Sequence, residues 1–302
     1  GDDRGTVVSS ARRRTPRGPD GDAVADAMRA AVTEALDAAD VAPESVVGCG
    51  VGSLGPLDTA AGEVGRSANL GVGIDRVPLT APLSNLLDAD VTLVNDADAG
   101  VIGERFYADR SPDDMVYLTV SSGIGAGVAV DGHVLSGWDG NAAEVGHTTV
   151  EIGGLECGCG VAGHWEAYCS GNNIPRHARY VYETEAVSTD MTLDDIEARD
   201  VFAAAGSDPL ADRVLGRIRE FNAAGVADLV HAYAPLVVYV GGAVARNNPE
   251  QVVDPLRERL PELVMANVPD IRLTSLGDEA VVRGALAAAI TSGTGERSPV
   301  RP

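Results

Sequence analysis

The sequence predicts an α/β protein. Short apolar runs such as "VTLVN" (Val91–Asn95) and "LVVYVGG" (residues 236–242) alternate with stretches of helical period, and the runs break off in glycine or polar residues. Apolar residues fill 45% of the 302 positions, enough for a full core. No repeat of 20–50 residues stands out.

The elements follow in order. "DDRG" reads as a turn and "TVVSSARR" as the outgoing strand of an opening hairpin. "DGDAVADAMRAAVTEALDAAD" is an amphipathic helix with an acidic first turn. "SVVGCGVGS" (residues 45–53) is a buried strand entering a glycine-rich loop, and "VTLVNDADAG" (residues 91–100) is a strand ending in polar residues, continued by the helix "AGVIGERFYA". "DMVYLTVSSGIGAGVAVDGHVLSG" reads as strand, glycine turn, strand, Asp-Gly turn, strand. From Ala167 the chain is mostly helical, with a long amphipathic stretch over residues 208–233. After the strand at 236–242 come a helix, the last strand "DIRLTSLG" and the last helix "DEAVVRGALAAAIT"; the tail from residue 293 is expected to be disordered.

The net charge is −22, and all 23 basic residues are arginine. Such a charge repels nucleic acid and anionic membrane. Acidity joined to loss of lysine points to a cytosol of molar salt, where the Debye length falls to ~3 Å. Without lysine there can be no G-x-x-x-x-G-K-[ST] phosphate loop, no protein-kinase fold and no pyridoxal Schiff base. No stretch nears ~20 uninterrupted apolar residues, and the opening "GDDRGTVVSSARRR" has no apolar signal region, so a cytoplasmic protein without a membrane span is expected. The four cysteines are Cys49, Cys157, Cys159 and Cys169; in a reduced setting, clustered Cys and His suggest metal.

Four motifs carry chemistry. "VNDADAG" puts Asn95 and Asp96 just past a strand's carboxyl end, where open α/β sheets bind ligands. Asp96 there is either a general base or the cap of the next helix. "SSGIGAG" (residues 121–127) is not a dinucleotide fingerprint, because a strand follows it. Its backbone N–H groups can cradle phosphate, or it is an ordinary glycine hairpin. "VYVGGAVA" gives a second glycine pair, for close packing or for a nucleotide. In "EVGHTTVEIGGLECGCGVAGHWE" the spacing H-x9-C-x-C-x4-H offers two thiolates and two imidazoles, His147, Cys157, Cys159 and His164, the donor types of tetrahedral Zn²⁺. Cys169 is the alternative fourth ligand, but a helix starting near Trp165 would carry it more than one turn from the loop.

Taken together and in this order, "VNDADAGVIGE", "TVSSGIGAG", "AEVGH…CGCGVAGHWE" and "VYVGGAVA" resemble the ROK family of repressors and sugar kinases, its glucokinases in particular. The resemblance spans nearly the whole chain. It implies an actin-like ATPase (ribonuclease H-like) fold, two lobes around a central cleft: residues 1–112 with the final helix, 278–292, and residues 113–277 carrying the zinc loop. It implies an ATP-dependent hexokinase acting on a 6-hydroxyl, glucose foremost, with Mg²⁺ on the phosphates. Asp96 would be the base. Asn69, Asn95, Glu144, His147 and Glu166 would hold the sugar, and Ser122, Gly123 and Gly125 the phosphates. Gly241 and Gly242 would lie against adenosine. Zn²⁺ would tie the loop ends so that Glu144 and Glu166 face one sugar, with His147 shared between metal and hydroxyl. A homodimer or homotetramer is expected.

Three departures stand out. His164 replaces the family's cysteine, and Leu54 in "GSLGPLD" replaces a typical proline. The family's opening D-x-G-[GA]-T is not in this sequence, so either ~15–20 residues precede it, on the length of a hairpin, or the nucleotide site is incomplete. The competing classes are a sugar-responsive repressor, which the charge disfavours, a sugar-binding sensor without catalysis, and a kinase for fructose, mannose or N-acetylmannosamine.

Overall fold

The structure is a computed structural model that describes residues 1–66, 70–71, 73–265 and 267–296. In chain order its first elements are α1 (Gly21–Ala38), β1 (Cys49–Ser53), β2 (Leu57–Asp58), β3 (Glu63–Gly65), β4 (Arg76–Pro78), α2 (Thr80–Leu87), β5 (Val91–Asn95) and α3 (Asp96–Tyr107). There follow β6 (Met115–Val120), β7 (Ile124–Val130), β8 (His133–Val134), α4 (Glu166–Cys169), α5 (Ile174–Glu185), α6 (Ala198–Ala203) and α7 (Pro209–Tyr233). The last are β9 (Val237–Gly241), α8 (Ala243–Asn247), α9 (Pro249–Val252), α10 (Asp254–Leu263), β10 (Asp270–Leu273) and α11 (Ala280–Thr291). Strand and helix alternate as the apolar pattern predicts. No helix among the described residues is long and apolar enough to cross a membrane.

The chain forms two compact units. Unit 1 comprises Gly1–Ser111, Gly132–Ala142 and Glu279–Pro302; unit 2 comprises Pro112–Asp131 and Ala143–Asp278. The excursion Gly132–Ala142 belongs to unit 1, a crossing that boundaries at 112 and 277 do not contain.

In unit 1, β1 and β5 pair in parallel, with Val51 opposite Leu93 and Ser53 opposite Asn95. Helix α1 begins where Asp20 accepts from the Ala23 amide at 3.0 Å. Its Val24, Met28 and Val32 pack with Val51, Val64, Val77 and Leu83 into one core. A second core joins α3 to α11 through Ile102, Phe106, Ala287 and Ala288. There the backbones almost touch: a Cβ on Gly284 would lie 1.7 Å from the Ala99 carbonyl oxygen. Only glycine permits this approach, which sets α3, and Asp96 at its start, against the last helix.

In unit 2 the strands run in the order β10-β9-β6-β7. β6 pairs in parallel with β9, Thr119 opposite Gly241, and antiparallel with β7. β6 and β9 read as near-continuous apolar runs because both are buried, with Leu118, Val238 and Val240 fully covered. Helix α7 starts where Asp208 accepts from the Leu210 and Ala211 amides, and Leu215, Ile218 and Val226 face the core.

Three expectations are corrected. The opening hairpin keeps only its turn, with the Asp2 amide donating to Thr6 O at 3.0 Å. Residues 6–13 find no strand partner among the described residues and are tied to α1 instead, by Ser9 Oγ on Ala35 O and by Arg13 on Glu34. A β-favouring composition makes a strand only where a neighbour completes the ladder. The strand expected from Ser45 starts at Cys49, where the first ladder bond, Cys49 N to Asp90 O, becomes available; Val47 before it is 98% exposed. The tail expected to be disordered from 293 is bonded at first to α11, the Gly293 amide donating to Ala288 O and the Gly295 amide to Thr291 Oγ1. The rest of it, 297–302, lies outside the described residues, as does Asn69.

Replacing Gly284 by alanine must push two helix backbones apart. We expect urea denaturation to show a lower midpoint with an unchanged slope, at a cost of ~1–3 kcal/mol or more.

Candidate functional site

In unit 1 the site begins where β5 passes directly into α3. Asn95 is the cap: its Oδ1 accepts from the Ala97 amide at 2.8 Å. Asp96 is the first helical residue, and its Oδ1 approaches the same amide at 2.8 Å. The cap position thus belongs to Asn95, while Asp96 Oδ1 shares the same amide. Burial pushes the Asp96 carboxyl above its ordinary range, and the Ala97 amide offsets part of the rise. A carboxylate held so is a stronger base than an exposed one. Asn95 has spent its carbonyl oxygen on the cap, which leaves its Nδ2 to donate.

In unit 2, β6 and β9 end side by side. The Ser121–Gly123 turn follows β6, and Gly242 follows β9. The turn closes with the Ser121 amide on Gly123 O at 2.9 Å. Ser121 O accepts from the Gly171 amide at 2.7 Å, Ser122 O from the Asn172 amide at 3.2 Å, and Ser121 Oγ from the Ala243 amide at 3.5 Å. Gly125 lies beyond the turn, inside β7 and opposite Thr119. Gly241 packs on Tyr117, whose hydroxyl would be 2.3 Å from an added Cβ, so its close-packing role is real whatever else it does.

The next cluster rises from a loop. The Val145–His147 turn follows Glu144, which is exposed. The chain then doubles back: the Val150 amide bonds Gly163 O, the Gly163 amide Leu155 O and the Cys157 amide Val161 O, each within 2.9 Å. The ligand atoms of His147, Cys157, Cys159 and His164 lie within 4.8 Å of one another. His147 Nδ1 is 3.3 Å from His164 Nδ1, Cys159 Sγ 3.2 Å from His164 Nδ1, and Cys157 Sγ 3.8 Å from His147 Nδ1. A tetrahedral Zn²⁺ with ~2.05 Å bonds to nitrogen and ~2.3 Å bonds to sulfur needs edges of ~3.3 Å and ~3.6 Å. Those three edges suit such an ion. Burial lowers the His164 pKa, and His147 beside it lowers it further, which favours the neutral, ligating imidazole. Burial also raises the Cys157 thiol, a cost that a metal cation would offset. Cys169 is not in this group; it is fully buried on α4 with Sγ toward Ile218 O at 3.7 Å.

The loop ends at a buried anchor that motif reading missed. Trp165 is fully buried, its amide bonds Thr148 O at 2.9 Å, and its Nε1 donates to Asn222 Oδ1 on α7 at 2.8 Å. The ring lies so close to α7 that a Cβ on Gly225 would meet it at 2.4 Å. A glycine inside a 25-residue helix was the available signal. Trp165 stands between His164 and Glu166, which opens α4 and whose Oε2 accepts from the Ile124 amide at 2.8 Å. A second brace is Arg217, which pairs with Glu151 of the loop at 3.0 Å and with Glu185 of α5 at 2.6 Å.

A carboxylate at a strand's carboxyl end in unit 1, and a glycine turn and a Cys/His loop bearing acids in unit 2, are features a phosphoryl-transfer protein can use. The chain belongs to the ROK family, whose model matches residues 1–292. It is 35% identical over 289 residues to the glucokinase of Pyrobaculum calidifontis, covering 95% of this chain and 89% of that one. Among solved structures it is similar to a ROK hexokinase from Thermus thermophilus, with a TM-score of 0.77, 33% identity and coverage of 93% and 90%. A ROK family glucokinase from Streptomyces griseus, in complex with glucose and AMPPNP, gives a TM-score of 0.76, 30% identity and coverage of 95% and 93%. The α/β fold is that of the actin-like ATPases.

The raised Asp96 carboxyl has a consequence for stability. The native state holds this proton to higher pH than the unfolded chain, so its contribution is present at low pH and lost as pH rises through the native pKa. Asp96→Asn removes the half-buried charge. Its melting temperature is expected to exceed wild type at neutral pH by a few degrees, with the gap closing in acid; a thermal scan over pH checks this.

Proposed function

We propose that this chain is an ATP-dependent hexokinase of the ROK type, transferring the γ-phosphoryl group to the 6-hydroxyl of a hexose, with glucose the foremost substrate. The observation that carries it is the Asn95–Asp96 pair: the cap position is Asn95's, and Asp96 stands half-buried, with a raised pKa, at a strand's carboxyl end. Asp96 takes the proton from the attacking hydroxyl. Glu144 and Glu166 accept from ring hydroxyls, His147 and Asn95 add contacts, and Asn69 in "SANLG" adds another. The backbone of Ser122 and Gly123 holds phosphate, with Gly125 behind it, and Gly241 and Gly242 lie against adenosine. Mg²⁺, when bound, neutralises charge on the phosphates.

The test is turnover. A panel of glucose, fructose, mannose and N-acetylmannosamine with MgATP, assayed in molar KCl, should give its highest kcat/KM with glucose. Asp96→Asn should lose at least ~10²-fold in kcat with little change in sugar affinity. Turnover that survives the substitution would remove Asp96 from the mechanism.

Zn²⁺ is the metal we assign to His147, Cys157, Cys159 and His164. The Nδ1 of His147 belongs to the ligand group, which leaves its Nε2 for a hydroxyl. Metal analysis should find one zinc per chain, and Cys157→Ser should release it and raise the sugar KM strongly. Cys169→Ser should retain it; zinc lost from that variant but kept in His164→Ala would make Cys169 the fourth ligand. We further read the −22 charge and the all-arginine basic set as adaptation to molar salt, in a cytoplasmic homodimer or homotetramer.

A further inference from the structure

The limb that carries the two cysteines is gripped from outside the loop. Leu155, two residues before Cys157, is buried, and its amide donates to the Tyr168 hydroxyl on α4. That hydroxyl donates in turn to Glu151, whose carboxylate Arg217 holds from α7 at 3.0 Å. The fit allows nothing larger than glycine at 154, where a Cβ would lie 2.0 Å from the hydroxyl oxygen and 2.5 Å from Glu151 Oε2. Glu156, between Leu155 and Cys157, has its carbonyl oxygen on Arg176 of α5 at 2.7 Å. Tyr168 is itself locked: it is fully buried, with its ring centroid 4.4 Å from that of Phe221 and 5.1 Å from that of His177.

Neither Tyr168 nor Arg176 belongs to the Cys/His quartet, yet both fix the backbone just before its first cysteine. Cys157 then closes a turn of its own, its amide on Val161 O at 2.8 Å and its carbonyl oxygen on the Gly160 amide at 2.9 Å. Cys157 and Cys159 thus ride on a limb placed by hydrogen bonds to α4 and α5. Without the Tyr168 hydroxyl, the buried Leu155 amide would lack its acceptor, a cost the limb escapes only by moving toward water. Movement there carries both thiolates away from the imidazoles.

We propose that Tyr168 is a positioning residue for the metal: its hydroxyl holds the cysteine limb so that Cys157 and Cys159 meet His147 and His164, with the exposed Arg176 as a weaker second support. This rests on the assignment of Zn²⁺ to the quartet. The limb then keeps its place when the ion is withdrawn, unlike small zinc domains, which fold only with their metal.

The experiment is chelator competition on the full chain with Zn²⁺ and, separately, with Co²⁺. In Tyr168→Phe the ring stays in the core and only the hydroxyl goes. Its Zn²⁺ affinity should fall about tenfold, as when a group that orients ligands without touching the ion is removed. The d–d absorption of Co²⁺ should shift or weaken, since it reports coordination geometry. Arg176→Met should lose less. Gly284→Ala, which loosens unit 1, should keep wild-type affinity, so lowered stability alone does not account for the loss. After the ion is stripped from wild type, amide hydrogen exchange over residues 150–157 should quicken by less than about tenfold, whereas in stripped Tyr168→Phe it should approach the rate of an unstructured chain. If Tyr168→Phe does not fold, Gly154→Ala presses a methyl on the same hydroxyl and should lower Zn²⁺ affinity in its place. Equal Zn²⁺ affinity in wild type and Tyr168→Phe, or a wild-type limb that exchanges at the unstructured rate once stripped, would overturn the proposal and leave the metal assignment intact. Wild type that binds neither ion would overturn that assignment and the proposal with it.

Discussion

Parallel strands that are neighbours must finish at the same edge of a sheet, and the functional residues of this protein depend on that constraint. In unit 1 the pairing of Ser53 with Asn95 brings the end of β5 beside the loop that follows β1. In unit 2 the pairing of Thr119 with Gly241 brings the Ser121–Gly123 turn beside Gly242. Residues more than a hundred positions apart in the chain thus share one edge, with the Ala243 amide on Ser121 Oγ as a direct link between them. Backbone hydrogen bonds of the ladders do the positioning, and the side chains at the edge are free to serve chemistry.

The loop of unit 2 lacks such a ladder and is held by other means. It has two isolated bridges, Thr149 with His164 and Glu156 with Ala162, and exposes Ile152 and Val161. A segment with so little apolar burial of its own needs cross-links. One is the quartet His147, Cys157, Cys159 and His164; another is Trp165 set into α7 at Gly225; a third is Arg217, bound to Glu151 and Glu185. The first two meet at His164 and Trp165, the residues before Glu166, while Arg217 ties the loop at Glu151 to α5. The Cys/His quartet lies on one side of Glu166 and the buried indole on the same backbone, so the position of the carboxylate rests on more than one contact.

Asp96 shows how a functional group is set against stability. Burial raises its pKa, which costs the fold something at neutral pH and strengthens the base. Asn95 occupies the cap position, and Asp96 Oδ1 shares the same Ala97 amide, so each residue keeps one side-chain atom at the helix start.

The sequence by itself determined the class of fold, because strand and helix periods are local and apolar runs such as 91–95 and 237–241 admit one reading once their lengths and glycine ends are weighed. It also determined the donor types in H-x9-C-x-C-x4-H, since thiolates and imidazoles at that spacing need no fold to be counted. It could not decide that residues 6–13 would lie on α1 instead of forming a strand, for a strand is a property of its partner. Nor could it decide which of Asn95 and Asp96 caps α3, or that Glu166 would grip the Ile124 amide, 42 residues back in the chain. Those outcomes rest on hydrogen bonds between groups whose distance is set only when the elements pack, and a linear pattern holds no record of that distance.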